Sequence, residues 1–208
     1  MEPYLIPAEY GRAEYIEKKS RFIGEVFPVT TEDEIRDAME QVKKREYDAK
    51  HHCWCYILRS GAKRYTDGGE PQGTAGVPRL SVFEREGVQD VLCVVTRYFG
   101  GILLGTGGLA RAYGKAAKDA LDAAGIAEMR VWRRLAARCP YAFFERVKLE
   151  LDGRSGILED SQFGADITLN VLLPDGEVSP FTDSMRELSA GKLVFTEVDT
   201  VFRGFRVK

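Results

Sequence analysis

The stretch that decides the fold is VVTRYFGGILLGTGGLARAYGKAA, residues 94–117. It begins inside an apolar run that is typical of a central sheet strand, and a pair of glycines, Gly100 and Gly101, ends that run. Over residues 106–124 apolar side chains recur at helical spacing, and Gly125 ends the helix. The stretch therefore predicts a strand, a glycine-rich loop and a helix, in that order.

The glycine-rich loop, residues 100–108, has the chemistry of an anion site. Unpaired amides at a helix start and the positive end of the helix dipole attract negative charge, and glycine lets a ligand approach the backbone closely. The alternative is that the glycines only allow the strand and the helix to pack closely. We favour the anion site, because the loop holds more glycines than a turn requires. The residues that we expect to bind phosphate or RNA are Arg97, Tyr98, Gly100, Gly101, Gly105, Thr106, Gly107, Gly108 and Arg111.

The loop is similar to two nucleotide-binding sequence motifs, but it does not fully match either of them. Gly100 and Gly105 have the glycine spacing of a P-loop, but the lysine that should precede Thr106 is absent. Gly105-x-Gly107-x-x-Ala110 is similar to the dinucleotide-binding motif, but the strand ends too far upstream for the tight turn of that motif. The sequence therefore predicts an anion site that is not a standard nucleotide site, and we expect no cofactor.

A long segment before this strand, residues 60–78, is rich in glycine and shows no periodicity. Segments of this length without secondary structure are uncommon inside a domain and are usually functional or disordered. Asp67 and Glu70 have the chemistry to bind a metal ion or to share acid–base work, but they also stand in ordinary turn dipeptides, and we prefer the turn. Pro78 is expected to begin a short helix. The residues of this loop that we single out are Asp67, Gly68, Glu70, Pro71, Gly73 and Thr74.

Further upstream, the pattern predicts strands around a helix. Residues 14–29 alternate well enough for one or two strands, and residues 51–59, HHCWCYILR, are expected to form a further strand. Between them a helix is expected, because Thr31 and Glu34 have the spacing of a capping box and apolar residues follow at helical spacing.

The strand at residues 51–59 carries the cysteines that most resemble a metal site. Regular alternation places His51, Cys53 and Cys55 on one face. Zinc needs four ligands, and Cys93 on another strand is the only obvious addition. We therefore expect small buried thiols in a core strand, and no metal.

Residues 129–208 predict a separate domain. Strand, helix, two strands, helix and strand follow one another, and this βαββαβ order is ferredoxin-like. The helix that ends at Gly125 and the short connector at residues 126–130 mark the expected boundary. We therefore expect an α+β protein of two domains, residues 1–128 and 129–208.

Composition narrows the functional classes. The chain has 208 residues and a formal net charge of −2, so any affinity for nucleic acid must come from a local basic patch. The strongest local runs of cations are at residues 18–22 and 43–45. We find no secretory signal and no apolar run long enough to cross a bilayer. A cytoplasmic protein with free thiols is expected.

Four stretches together resemble a known family: DGGEPQGTAGVP at residues 67–78, VVTRYFGGILLGTGGLARAY at residues 94–113, KKSRF at residues 18–22 and HHCWCY at residues 51–56. The family is the Impact family, whose bacterial members are called the YigZ family. The resemblance implies a first domain with the ribosomal protein S5 domain 2-like fold. It implies a second domain that is ferredoxin-like and similar to a domain of elongation factor G. Gly69 departs from the motif of many relatives.

The resemblance also implies a link to translation. Eukaryotic relatives act in translational control by binding the activator of a kinase that senses amino-acid starvation. They carry an extra N-terminal interaction domain that we do not expect in this chain, so that partner is not carried over. No catalytic residues are implied. We therefore expect a regulatory protein that binds RNA, the ribosome or a translation-control protein, with no membrane partner. The alternatives are a phosphate-binding enzyme similar to the metabolite kinases and a protein–protein adaptor.

Overall fold

The computed structural model describes residues 2–208 and has the predicted mixed α+β composition. The elements of the first part are β1 Tyr4–Pro7, β2 Gly11–Glu17, β3 Ser20–Pro28, α1 Glu32–Arg45, β4 His51–Ile57, β5 Lys63–Thr66, α2 Gly76–Glu86, β6 Val91–Tyr98 and α3 Gly105–Ala124. Those of the second part are β7 Ile126–Cys139, α4 Phe144–Gly153, β8 Ile157–Phe163, β9 Ile167–Pro174, α5 Val178–Leu188 and β10 Thr196–Arg206.

The first unit comprises Tyr4–Met129 and Gly204–Lys208. Its main sheet has the strand order β2-β3-β6-β4-β5, and every neighbouring pair is antiparallel. β6 lies at the centre, and all of its residues except Tyr98 are buried. The continuous apolar run that predicted a central strand is thereby explained, because both faces of β6 are covered.

Helices cover the two faces of this sheet. α2 and α3 pack on one face in a core that includes Cys53, Cys55 and Cys93. α1 packs on the other face against a core that includes Tyr56, with Trp54 packed beside it. The predicted alternation along β4 is confirmed, since neighbouring residues of the strand contribute to different cores.

The start of α1 follows the predicted capping box. The Thr31 hydroxyl accepts a hydrogen bond from the Glu34 amide at 3.2 Å, and the Glu34 carboxylate accepts one from the Thr31 amide at 3.2 Å. Both bonds satisfy amides that the first turn of a helix leaves without a partner.

The second unit, residues 2–3 and Arg130–Arg203, contains the βαββαβ order. β9 pairs antiparallel with β7 on one side and with β8 on the other, and β10 pairs with β7. The order β10-β7-β9-β8 is that of a ferredoxin-like sheet. The core is formed by apolar residues of this sheet with Phe181 and Met185 of α5 and Val147 and Leu151 of α4.

Three local expectations were wrong. The segment at residues 60–78 contains a short strand, β5, paired with β4. α2 begins at Gly76, so Pro78 is its third residue and not its first. The connector at residues 126–130 is the start of β7, where Ile126 pairs with Pro7 of β1 and exchanges backbone hydrogen bonds with Val207 and Lys208.

Candidate functional site

A cavity of about 780 Å³ lies in the first unit where the end of β6, the loop after β5 and the start of α3 meet. Most of its wall is formed by apolar and aromatic groups, and a few charged side chains also line it. Its lining residues are Asp48, Lys50, His51, Gly69, Glu70, Pro71, Arg97, Tyr98, Phe99, Leu103, Leu104, Gly105, Thr106 and Leu109. A concave, largely apolar site with a few polar groups is the usual form of a ligand pocket, and we call it the β6–α3 cavity.

The amino-terminal turn of α3 borders this cavity. Leu104 occupies the N-cap position, and its side chain makes no capping hydrogen bond. Gly105 takes a φ of +70°, which is unfavourable for other residues, and Gly105 and Thr106 both line the cavity. The first amides of a 20-residue helix therefore lie beside the cavity without a capping side chain.

An ion pair between Glu70 and Arg97 forms one wall of the cavity. Arg97 Nη1 donates to Glu70 Oε1 at 2.7 Å, and the two side chains are only 7% and 4% exposed. The Tyr113 hydroxyl donates to the same carboxylate oxygen at 2.8 Å, and burial, Cys53 and Glu70 raise the pKa of Tyr113. Arg97 is therefore largely neutralised within the protein, which reduces the charge it can offer to a phosphate.

Asp67 organises the loop that carries Glu70. Its carboxylate accepts hydrogen bonds from the amides of Gly73, Ala75 and Gly76 at 2.8, 3.0 and 2.7 Å. Burial raises the pKa of Asp67, but these three bonds outweigh it and lower the pKa below its ordinary value. Since Ala75 is the N-cap of α2 and Gly76 its first residue, Asp67 acts as a capping group and fixes the loop.

The remaining loop residues are held by short contacts. The Gly68 carbonyl oxygen lies 3.0 Å from His51 Nδ1. The Pro71 carbonyl oxygen accepts from the Thr74 hydroxyl at 2.6 Å, and the Thr74 side chain is buried. These contacts give the loop a defined shape.

The glycine-rich loop between β6 and α3 passes close to the β2–β3 turn. A Cβ atom at Gly100 would lie 2.0 Å from the carbonyl carbon of Lys19, so this glycine allows the loop to pass the β2–β3 turn. The Gly100 amide donates to the Ser20 hydroxyl at 3.1 Å. Gly101 takes a φ of +81° with open space around it. Close packing therefore explains Gly100.

The same loop exposes apolar side chains. Phe99 is 54% exposed and Leu103 83% exposed, and both line the β6–α3 cavity. Tyr98 is held differently, because its single hydroxyl hydrogen is shared between the carboxylates of Glu46 and Asp48, whose oxygens lie 3.0 and 2.8 Å from the hydroxyl. Of the two aromatic residues that follow Arg97, Phe99 is the one that presents an open ring.

A smaller cavity of about 360 Å³ lies on the other side of Leu104. It is lined by Gly108, by three cations, Lys18, Arg111 and Lys115, and by the acidic Glu17; Lys115 is also paired with Asp119. Arg111 is exposed and forms no ion pair within residues 2–208. The predicted site is therefore divided: Gly105 and Thr106 border the larger cavity, whereas Gly108 and Arg111 border the smaller one.

The histidines and cysteines of β4 have local partners. His52 Nδ1 lies 3.1 Å from the Thr96 hydroxyl, and burial lowers the His52 pKa. The Cys53 thiol donates to the Asp67 carbonyl oxygen at 3.0 Å. Within residues 2–208, no group of three or more His, Cys, Asp or Glu side chains is placed to hold a metal ion.

Sequence reasoning missed the network of Glu70, Arg97 and Tyr113. These residues come from the loop after β5, from β6 and from α3, and neither local spacing nor periodicity links them. An indirect signal was available, because Arg97 stands in a strand whose other residues are almost all buried. A buried arginine needs a nearby counter-charge, which is most often an acid.

The chain matches two family models. Residues 18–121 match the Impact N-terminal domain, and residues 138–192 match a domain of unknown function, DUF1949. The chain is 34% identical to the IMPACT family member YvyE of Bacillus subtilis, over 92% of this chain and 89% of that protein. It is 32% identical to the IMPACT family member YigZ of Escherichia coli, over 96% of this chain and all of that protein.

A solved crystal structure of a hypothetical protein is also similar, with a TM-score of 0.60 and 32% identity over 96% of this chain and 98% of that one. The two family models agree with an arrangement of two domains. No helix within residues 2–208 is both long and apolar enough to cross a bilayer.

Proposed function

Because this chain belongs to the IMPACT family, we propose that it acts in translation by binding RNA on the face of the first unit that carries the start of α3. The observation that supports this most directly is the uncapped amino-terminal turn of α3, which lies beside the β6–α3 cavity and the exposed ring of Phe99. Amides for a phosphate and an open aromatic ring for a base are the two elements that single-stranded RNA sites combine.

A backbone phosphate would lie at the start of α3. The amides of the first turn and the positive end of the helix dipole attract an anion. The first four residues, Gly105–Gly108, are three glycines and a threonine, so side chains shield these amides little. Thr106 adds a hydroxyl at the edge of the cavity.

A base would lie in the β6–α3 cavity against Phe99. Stacking on an aromatic side chain stabilises a bound base by about 1–3 kcal/mol, and the exposed Leu103 adds an apolar surface. Lys50 and His51 line the same cavity and are placed to contact an adjacent phosphate or the base edge. Arg97, paired with Glu70, shapes the wall and is not the main phosphate ligand in this proposal.

The neighbouring phosphates would follow the cations of the smaller cavity. Lys18, at the β2–β3 turn, lines this cavity with Arg111, and Lys19 follows Lys18 in the turn. This places part of the basic KKSRF stretch beside the glycine-rich loop. A protein with a formal net charge of −2 can still bind RNA through such a local cluster.

The test is binding of a labelled single-stranded RNA, measured by fluorescence anisotropy at several salt concentrations. Two phosphate contacts are removed in Lys18→Ala/Arg111→Ala, so the slope of log affinity against log salt should fall by about 1.4. Arg36→Ala/Lys44→Ala on α1 removes the same charge elsewhere and should leave the affinity within about twofold. Circular dichroism checks the fold of each variant.

The base pocket is tested with Phe99→Ala, which should weaken binding about tenfold or more. Phe163→Ala removes an exposed ring in the second unit and serves as its control. Wild-type protein that binds no RNA at low salt would overturn the proposal, and titration with ATP or with a candidate partner protein would then test the enzyme and adaptor alternatives. Co-sedimentation of the same variants with ribosomes shows whether the bound RNA is ribosomal.

A further inference from the structure

Arg79 of α2 is a fully buried cation. Its Nη2 donates to the Thr66 carbonyl oxygen at 2.8 Å and contacts the Trp54 carbonyl oxygen at 3.4 Å. Its Nε and Nη1 have no hydrogen-bond partner within residues 2–208. Asp67 is affected by the charge of Arg79 but uses its carboxylate on backbone amides. A buried guanidinium without a carboxylate needs another counter-charge.

Three cysteine thiols lie in the core that α2 covers. Cys53 and Cys55 of β4 and Cys93 of β6 are all buried there, and the charge of Arg79 acts to lower the pKa of each. Burial acts to lower the pKa of Arg79, but the charges of Cys55, Cys53 and Cys93 outweigh it and raise the pKa. The cysteines are therefore the groups available to balance the charge.

Cys55 and Cys93 are direct partners across the β4–β6 ladder. Opposite residues on one face of an antiparallel pair have Cβ atoms about 4.5–5.5 Å apart, and a disulfide has them about 3.5–4.5 Å apart. A small movement of the two strands therefore suffices to bring the sulfur atoms to bonding distance.

The two thiols differ in acidity. Burial raises the pKa of Cys55, but the neighbouring Cys93 thiol and the charge of Arg79 outweigh it and lower the pKa below its ordinary value. Burial and the neighbouring Cys55 raise the pKa of Cys93 well above its ordinary value. Cys55 is thus the more acidic thiol of the pair.

We propose that Cys55 and Cys93 form a redox-sensitive thiol pair, activated by Arg79, which hydrogen peroxide converts into a cross-strand disulfide. The Cys55 thiolate attacks one peroxide oxygen, the O–O bond breaks, and hydroxide leaves and takes up the proton that Cys55 released to solvent when it ionised, which gives the first water molecule. The Cys93 sulfur then attacks the sulfur of the Cys55 sulfenic acid, and water leaves with the Cys93 proton. Two thiols lose two electrons, and one peroxide becomes two water molecules.

Local opening of α2 admits the oxidant. The pair is covered in the folded state, and peroxide is small and uncharged, so it can enter through brief openings that exclude larger reagents. Once the disulfide has formed, the thiolate that balanced Arg79 is gone. Arg79 joins α2 to carbonyl oxygens beside β4 and β5, so oxidation loosens α2 and the adjoining loop at residues 67–75, which forms part of the β6–α3 cavity.

The experiment treats the folded protein with hydrogen peroxide and follows it by intact mass and peptide mapping. Wild-type protein should lose the mass of two hydrogen atoms and yield a peptide linked through Cys55 and Cys93. Cys93→Ser should stop at a sulfenic acid on Cys55, which dimedone traps once the protein is unfolded in urea. Cys139→Ser, which removes a thiol of the second unit, should behave as the wild type. Arg79→Met should slow the reaction at least tenfold.

Absence of the Cys55–Cys93 peptide, when the same treatment oxidises Cys139, would overturn the proposal, as would a wild-type rate in folded Arg79→Met. If Arg79→Met does not fold, the ultraviolet absorbance of the thiolate decides: it should be present in the wild type and lost in Cys55→Ser. Hydrogen exchange of α2 amides should become faster after oxidation and return to its original rate after dithiothreitol. Unchanged exchange would refute the coupling to the cavity.

Discussion

Replacing Glu70 with glutamine is expected to lower the free energy of unfolding of the first unit by about 3 kcal/mol or more. Glutamine keeps the shape of the side chain and can still accept the hydrogen bond from Tyr113. What it removes is the negative charge 2.7 Å from Arg97. Because the Arg97 side chain is only 7% exposed, water cannot replace that charge, and a buried cation is left without a counter-ion.

The loss of stability expected for Glu70→Gln is large because its ion pair is buried. An exposed ion pair provides the comparison. Lys63 and Glu84 also form an ion pair, but their side chains are 48% and 43% exposed. Such surface pairs contribute about 0–1 kcal/mol. Glu84→Gln is therefore the matched control, since it makes the same chemical change in a pair that solvent screens.

Urea unfolding followed by the fluorescence of Trp54 measures the effect. The other tryptophan, Trp132, lies in the second unit, so Trp132→Phe serves as the common background for every variant. With a urea slope of about 2 kcal/mol/M, a loss of about 3 kcal/mol lowers the midpoint by about 1.5 M.

The double variant Glu70→Leu/Arg97→Met separates the pair from its parts. Removing both charges should recover most of the loss, because replacing a buried ion pair with apolar groups is often neutral. If Glu70→Gln changes stability no more than Glu84→Gln does, Arg97 is solvated in solution and the reasoning from burial is wrong.

Four further substitutions should affect stability in different ways. Asp67→Ala should lower the free energy of unfolding by about 2 kcal/mol at neutral pH. Because the folded-state pKa of Asp67 is depressed, its contribution is present above the unfolded pKa and is lost as pH falls through the folded pKa. Urea curves of wild type and variant should therefore converge in acid. Gly100→Ala should lower the free energy of unfolding by about 2 kcal/mol, since its Cβ would meet the Lys19 backbone. Gly107→Ala should not lower the urea midpoint, because its Cβ meets only the end of the Arg111 side chain. Thr31→Ala removes the cap of α1 and should lower the free energy of unfolding by about 1 kcal/mol, measured from the same urea curves.

Elements with local signals were predictable, and those without them were not. Short stretches of sequence carry the signals for the Thr31 capping box, the buried run of β6 and the helical spacing of α3. β5 was missed because Lys63–Thr66 has four residues with little burial, so no apolar alternation marks it. The return of the C-terminal residues to β7 depends on pairing between distant parts of the chain, which periodicity does not report.

The candidate site shows the same limit. The turn interpretation of Asp67 agrees with its hydrogen bonds to loop amides, because that bonding is local and follows from residue type. Glu70 stands in the same loop, yet its partners are Arg97 and Tyr113, which lie 27 and 43 residues away. Residue type alone could not show that Arg97 would be paired, and this pairing shifts the expected phosphate contacts toward the start of α3 and Arg111.

The two interpretations of the glycine-rich loop apply at different positions. At Gly100 the backbone of Lys19 leaves no room for a side chain, so this residue is required for packing whether or not a ligand binds. At Gly107 a Cβ would meet only the end of the Arg111 side chain at 3.5 Å, whereas at Gly108 it would lie 3.1 Å from the Cβ of Leu104, which is a tight contact. Packing against other elements therefore does not require Gly107. Glycine favours a helix less than alanine does, so Gly107 needs another reason. In the proposed function, access of an anion to the amides of α3 supplies that reason, and it separates the part of the loop that folds the protein from the part that we propose binds RNA.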